Sequence, residues 1–499
     1  MYLFIVLTLI MGIGEIIAQE DSSNVIFDDS KVHEYTLTFY DTDYATKLEA
    51  NYFNDAGYLP AKFSDGTITL DSVGVRYKGN SSYNAASSSP KKPLKIKFNE
   101  FISGQKYYGI KVLNFSNGYG DPTFLREKIA YDISSKYIPS PRSSFAAITI
   151  GSDYIGLYTQ IEQVNEQFLN RVYQDKTLNL YKASDAGASL VYSDNNPNSY
   201  ASEMELKTNE DLNDWSGMVS FLKYINNTDN ESFCSTYSQY MNPDNVAPFL
   251  AFMMVMSHFD SYIGSGRNFY LTQMNAAGYM SFVPWDLNLT FGGYPNGWDV
   301  YKQSAITTSN IDQRPLFKKL MGCEEFKYKY LAYIKRMITT DASEESIQKA
   351  IDKHVSIIQP FVEADNNKFF SLSDFTTNLN SKLRTSSGSI PGLTEFSTNR
   401  NTFLLSEIEG ILPEEYELSI DKNNHDLAAK TSIRHRQIVF PSQRANTEKY
   451  LEFFSPNGRK LISIHTTAGV IDIPVLPKGM VLIRVKINQS NQIIKYNNY

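Results

Sequence analysis

Cysteine is scarce: Cys234 and Cys323 are the only two in 499 residues. Two sulfurs build neither a disulfide framework nor a zinc site, so the sequence is compatible with one cross-link or with two buried thiols. A basic excess is also missing. Forty-seven Lys and Arg face 54 Asp and Glu, a net charge of −7, which removes the electrostatic footprint of a nucleic-acid binder. Long hydrophobic runs are absent after the first residues. No stretch reaches the roughly 18 apolar residues of a spanning helix, and "VAPFLAFMMVM" (Val246 to Met256) reads as a buried core helix. Tryptophan is rare at 3, whereas Tyr (34) and Phe (30) are abundant and hydrophobic residues make up 42%. That composition suits a globular chain with a large core, and the length suits two or three domains.

The opening "MYLFIVLTLIMGIGEIIAQED" carries an apolar stretch of signal-peptide length, with cleavage expected after Ala18. Residues 1–18 are therefore read as a signal peptide and the mature chain as secreted, with no transmembrane helix. "HEYTLTFYDTDY" and "KKPLKIKF" alternate like strands, and "GTITLDSVGVRYKGNSSY" reads as two strands around a short turn. In "DPTFLREKIAYDISSKY", Asp121 is the expected N-cap and Pro122 the first helical residue, with Leu125, Ile129, Ile133 and Tyr137 on one face. "SSFAAITIGSDYIGLYTQIEQV" predicts a hairpin turning at Gly151-Ser152-Asp153. From about Asp211 the period becomes helical, interrupted by one strand–turn–strand unit. After about Pro413 strands return. The expectation is an α+β chain with a strand-rich lobe, a helical lobe, a linker over residues 411–446 and a small all-β sandwich over 447–499.

The interrupting unit, "HFDSYIGSGRNFYLTQMNAAGYMSFVPWDLNLTFGG", carries the chemistry. Asp260 follows a long apolar helix, Asn268 opens the first strand and Asp286 follows the second. A hairpin returns Asn268 and Asp286 to one end. Oxygen ligands of this kind suit Mg2+ or Mn2+ across the phosphates of a nucleotide, with a nearby carboxylate as base. His258 is read as packed beside the site; His33, His354, His425, His435 and His465 lack metal-ligand spacing and read as surface residues. Arg76, Lys78, Asn80 and Ser81 in "RYKGNSS" can face phosphate with side chains and backbone N–H groups. Lys92, Lys95 or Lys97 can reach it from the following strand, and Glu127 can pair with a strand lysine.

Seven separated motifs, "VGVRYKGNSSY", "KKPLKIKF", "LREKIAYDI", "YIGLYTQIEQVNEQFL", "NLYKA", "RNFYL" and "VPWDLNLTFGG", resemble the CotH kinase family over roughly residues 32–410. The resemblance implies an atypical protein-kinase-like two-lobe fold. It also implies transfer of phosphate from ATP, with Mg2+ or Mn2+, to Ser or Thr of a protein. It places the catalytic base on Asp260 and the metal ligands on Asn268 and Asp286. Phosphate contacts fall on Arg76, Lys78, Asn80, Ser81 and one of Lys92 or Lys95. The helix motif falls on Arg126 and Glu127, and the lobe connector that meets adenine on Glu162. Asn288 stands where the family often has a second acid. The final "FFSPNGRKLISI…GVIDIPVLPKGMVLIRVKINQSNQIIKY" resembles a type IX secretion sorting domain, implying the type IX machinery as a partner and the outer cell surface as destination. The alternative is a catalytically silent kinase-fold binding or adhesin-like module; transfer of a whole nucleotide is a third reading.

Overall fold

The computed structural model describes residues 21–414 except 276, 277 and 387, and beyond them 416, 418, 432–434, 437–439, 448–455, 460–468, 470–474, 476, 479–487 and 490–498. The expected signal peptide, His425 and His435 lie outside the described residues. Seven strands form a closed barrel in the order β1-β2-β3-β4-β5-β7-β6. They are β1 (Val32–Phe39), β2 (Leu59–Ser64), β3 (Thr69–Tyr77), β4 (Leu94–Lys97), β5 (Val112–Ser116), β6 (Ser143–Ile150) and β7 (Asp153–Glu162). The β1–β6 pair is parallel and closes the ring; the β6–β7 hairpin turns where its Gly151 predicts. Closure removes exposed edges, and alternation sends Leu37, Phe63, Val75, Ile96, Leu113, Phe115 and Ile148 into the barrel core. The sequence signalled a strand-rich lobe; closure into a barrel is a tertiary result.

One helix, α1 (Tyr44–Asn54), connects β1 to β2. The stretch expected to be two strands around a turn is the single strand β3, with Ser72 at φ 50° beside a register shift against β2. Its "GNSS" tail opens the short α2 (Ser81–Ala85). The amphipathic helix begins later than its sequence predicts. It is α3 (Arg126–Ser134), and Asp121 caps it from five residues away, accepting the Arg126 backbone N–H at 2.9 Å. The expected stripe is buried, but so are Arg126, Glu127, Lys128 and Tyr131 on the other faces, because α3 lies between the barrel and the helical half.

After α4 (Glu166–Tyr173) a second sheet forms in the order β11-β10-β8-β9, from β8 (Asn179–Ala183), β9 (Met204–Leu206), β10 (Phe269–Gln273) and β11 (Met280–Pro284). The helical half contains α5 (Ser216–Asn227), α6 (Asn230–Thr236), α7 (Pro243–Val255), α8 (Pro315–Met321), α9 (Glu324–Thr339), α10 (Glu344–Ala364), α11 (Leu372–Asn380) and α12 (Leu393–Glu409), with a small β12–β13 hairpin (Leu383–Thr385, Gly388–Ile390) before α12. Helix α7 is the apolar helix expected from its run, buried from Asn245 onward and entered at Pro243 behind the capping side chain of Asn242. Cys234 and Cys323 form a disulfide with Cα atoms 5.3 Å apart, which resolves the open choice in favour of the cross-link. Two histidines expected at the surface are buried: His354 bonds Asp132 and His33 bonds the Asp28 carbonyl. Both lie where separate segments meet, which local pattern does not reveal.

Beyond 414, strands lie inside the expected linker. β14 (Ser432–Arg434) pairs with β15 (Gln437–Val439), which pairs on its other side with β18 (Val470–Asp472). A four-stranded sheet runs β17-β16-β19-β20 from β16 (Lys449–Phe454), β17 (Lys460–Thr466), β19 (Gly479–Ile487) and β20 (Ser490–Asn498). Ile438 joins Leu451, Phe453, Ile483 and Val485 in one cluster, so the two sheets share a core. No helix among the described residues is long and apolar enough to cross a membrane.

Candidate active site

The β10–β11 hairpin pairs Phe269 with Pro284, and the Trp285 N–H donates to the Asn268 carbonyl at 3.1 Å. Asn268 and Asp286 therefore stand side by side at one end of the hairpin. Asp260 joins them from the loop after α7. The Asn268 amide donates to the Asp260 carbonyl at 2.8 Å and to its carboxylate Oδ2 at 3.0 Å. That loop is tightly folded on itself. Gly266 N–H reaches the Ser261 carbonyl at 2.8 Å, and a Cβ on Gly264 would meet the Phe259 carbonyl oxygen at 1.9 Å, so no other residue fits there. Arg314 clamps the loop through the Gly264 carbonyl. Ser257, Asn268 and Asp286 all have positive φ, at 43°, 57° and 51°. Three such non-glycine residues in one region mark a backbone held by its surroundings.

These groups face a cleft of about 350 Å³ between the barrel and the second sheet. From the barrel come Arg76, Lys78, Asn80, Ser81 and Lys95; from the other wall Lys182, Asp185, Lys207, Arg267 and Trp285. The Asn80 amide reaches Asp185 across the opening at 3.5 Å. A larger cavity, about 600 Å³, lies beyond the opposite side of α3, and none of the expected site residues lines it. Size is the weaker guide here. Both are lined by acids, amides and cations, but the smaller cleft is the one that brings Asp260, Asn268 and Asp286 together opposite Arg76, Lys78 and Lys95.

Five expected residues do not line this cleft; one, Lys97, pairs with Glu100 at 2.6 Å instead. Lys92 points away, donating to the Ser87 carbonyl at 2.5 Å under the Tyr83 ring, because it precedes β4 and escapes the strand alternation. Arg126 is fully buried between Asp121 at 2.8 Å, Asn378 at 3.0 Å and the Pro391 carbonyl, tying α3 to the segments around α11. Glu162 is clasped by Arg142 at 2.9 Å and Arg171 at 2.6 Å; its neighbour Gln163 is the one at the cleft. Glu127 sits behind the wall, and its two oxygens find no hydrogen-bond partner among the described residues. No ion pair closes between Glu127 and a strand lysine there, although the Lys78 charge acts on it. Lys182, Asp185, Lys207 and Arg267 were not singled out by sequence. Arg267 sits next to Asn268, but ordinary lysines and arginines carry no local signal of where they point.

The electrostatics describe a site that suits charged partners. Burial raises Asp286 above the carboxylate range, Lys78 opposing and the Asp260 charge reinforcing the rise. Burial also raises Glu127, with Asp286 adding repulsion. Lys78 is lowered by burial against the attraction of Asp286 and Glu127. Lys95 is pushed down to about 7 by burial and by Arg76, Lys78, Lys207 and Lys182. His258 is fully buried and pushed down to about 4 by burial, against Asp260, so it is neutral beside the acid.

Crowded carboxylates call for a cation, and the donors fit one. Asp260 Oδ1 is buried without a partner, and Asn268 spends its N–H2 on Asp260, leaving its amide oxygen without a hydrogen bond among the described residues. Carboxylate and amide oxygens are the ligands that Mg2+ and Mn2+ prefer. Clustered cations opposite them suit phosphates.

The CotH kinase protein family matches residues 75–404, about two thirds of the chain. The chain belongs to the CotH kinase family. Its match begins within β3, so β1 and β2 of the barrel lie ahead of it. Among curated proteins, the chain is similar to the inner spore coat protein H of Bacillus subtilis (strain 168), at 23% identity over 272 residues, 54% of this chain and 73% of that protein. The mixed α+β architecture, with a strand-rich first part and a helical second part, is consistent with the two-lobe kinase-like expectation for the CotH family.

Proposed function

We propose that this CotH-family chain is a secreted, metal-dependent protein kinase that moves the γ-phosphate of ATP to a serine or threonine of a protein or of itself. The observation that carries the reading is the meeting of Asp260, Asn268 and Asp286 at one end of a cleft whose walls bear Arg76, Lys78, Lys95, Lys182 and Lys207. In this reading Asn268 and Asp286 hold Mg2+ or Mn2+, which when bound neutralises charge on the phosphates. Asp260 accepts the proton of the acceptor hydroxyl while its oxygen bonds to the γ-phosphorus. The bond from that phosphorus to the β–γ bridging oxygen breaks, and ADP leaves. Lys78, Lys95 and Arg76 bind phosphate oxygens, Asn80 and Ser81 cover them, and the fixed positions of all these groups exclude water.

Export is proposed on separate grounds. The Cys234–Cys323 disulfide suits an oxidising compartment, and the two C-terminal sheets, whose sequence resembles a sorting domain, share an apolar cluster of their own. The unit is proposed as the type IX sorting element, dispensable for chemistry.

The test uses the full chain with Mg2+ or Mn2+ and ATP labelled at either the γ- or the α-phosphate. Transfer of γ-label to serine or threonine is expected, reduced roughly 10²-fold or more in Asp260→Asn and abolished in Asp286→Ala. Transfer of the α-label keeps the site but replaces phosphorylation with nucleotide attachment. Nucleotide binding without transfer in every condition supports the silent binding module instead.

A further inference from the structure

Asp286 holds a left-handed conformation, φ 51°, at the residue proposed as a metal ligand. A side-chain-bearing residue stays in that region only when neighbours impose it. One neighbour does so directly. The Asp286 backbone N–H donates to the hydroxyl oxygen of Tyr131 at 3.1 Å. Tyr131 is 1% exposed, on the buried helix α3, one turn after Glu127. A second tie runs the same way. Thr290 Oγ1, four residues past Asp286, bonds the Leu287 carbonyl at 2.7 Å and the Arg126 carbonyl at 3.4 Å, fastening the turn after Asp286 to the start of α3. The hairpin sets only the residue before, through Trp285 and Asn268. The direction in which the chain leaves Trp285 is thus set by α3, and with it the placement of the Asp286 carboxylate.

We infer that Tyr131 is a positioning residue for the metal: its hydroxyl fixes the Asp286 backbone, so that the seating of α3 controls how tightly the cleft holds a divalent cation. The inference rests on the proposed metal role of Asp286. Tyr131 touches neither substrate nor phosphate in this scheme. It acts through the main chain, as outer partners of metal ligands do elsewhere, where their loss weakens metal binding about 10- to 100-fold.

Tyr131→Phe removes one oxygen and keeps the ring in the core. The probe is Mn2+ titrated into the full chain with ATP present, with free Mn2+ read by electron paramagnetic resonance. The expected result is a Mn2+ dissociation constant raised about tenfold or more. Phosphotransfer falls at low Mn2+ and returns towards the parent rate at saturating Mn2+, with KM for ATP then unchanged. Tyr173→Phe is the control. That buried tyrosine lines the larger cavity as Tyr131 does, but its hydroxyl bonds Ser281, at 3.0 Å, and not Asp286, so its loss is expected to lower the melting temperature without changing Mn2+ affinity. Mn2+ binding within twofold of the parent in Tyr131→Phe overturns the inference. Equal weakening in both variants also overturns it, because it marks a general loss of stability. A parent chain that binds ATP but no Mn2+ overturns the metal reading beneath it.

Discussion

Asp365→Asn should cost about 3–5 kcal/mol of stability, because it removes one half of a buried ion pair and leaves the other half charged. Lys91 Nζ lies 2.5 Å from Asp365 Oδ2, and both side chains are fully buried. The same oxygen accepts the Leu157 N–H at 3.0 Å, and Oδ1 accepts the Asn367 N–H at 2.9 Å. The carboxylate thus binds three donors, from the segment before β4, from β7 and from the turn after α10, so it fastens the barrel to the helical half. An asparagine can keep its oxygen on Asn367 only by turning its N–H2 towards Lys91 and Leu157, two further donors. Each unsatisfied buried group costs about 1–3 kcal/mol, and the stranded ammonium adds more. The loss has a ceiling. Lysine can shed its proton, which at pH 7 costs about 5 kcal/mol from its ordinary value; burial already pushes Lys91 down to about 8 against the pull of Asp365. Gly156 reports the same crowding, since a Cβ there would lie 2.3 Å from an Asp365 oxygen. The assay is urea unfolding of Asp365→Asn, Lys91→Met and Lys91→Met/Asp365→Asn. The double variant should recover the part of the loss due to the stranded ammonium, with a coupling energy of about 2 kcal/mol or more. An Asp365→Asn protein within about 1 kcal/mol of the parent would refute the reasoning, as that change is too small for a stranded buried charge.

Two further outcomes follow from charge and covalent structure. The Cys234–Cys323 bridge spans 89 residues, and Cys234→Ser/Cys323→Ser should lose about 4–5 kcal/mol on a loop-entropy basis; unfolding with and without a reductant checks this, and equal curves contradict it. Lys95 has its pKa lowered to about 7 by burial and by neighbouring cations, so at pH 8 most of it is neutral in the empty cleft. A bound polyphosphate raises that pKa, and binding should take up a proton at pH 8 but much less at pH 6. Calorimetry in buffers of different ionisation enthalpy measures the uptake, which should fall in Lys95→Met; an uptake unchanged in that variant would defeat the argument.

Much of this molecule was legible in order along the chain. The β10–β11 hairpin with Asn268 and Asp286 at its ends, the apolar helix α7, the β6–β7 turn at Gly151 and the long α10 all follow from residue periodicity and turn chemistry, because those signals act between near neighbours. The placement of Asp260, Asn268 and Asp286 together was readable for the same reason: all three lie on one short supersecondary unit. The rest depended on partners far away in sequence. Lys92 and Lys95 look alike in "KKPLKIKF", yet only Lys95 lies within a strand that faces the cleft. Glu162 resembles a base-binding connector in sequence, yet Arg142 and Arg171 clasp it. Arg126 and His354 are buried because Asn378 and Asp132 meet them across 252 and 222 residues. Closure of the barrel, the single cysteine bridge and the grip of Tyr131 on Asp286 are of the same kind. Local sequence determined which elements form and which faces are apolar, since backbone geometry and hydrophobic burial repeat every few residues. The tertiary structure alone decided which charged side chain meets which, because a long polar side chain carries no pattern of its own and takes its role from whatever the fold brings within 3 Å.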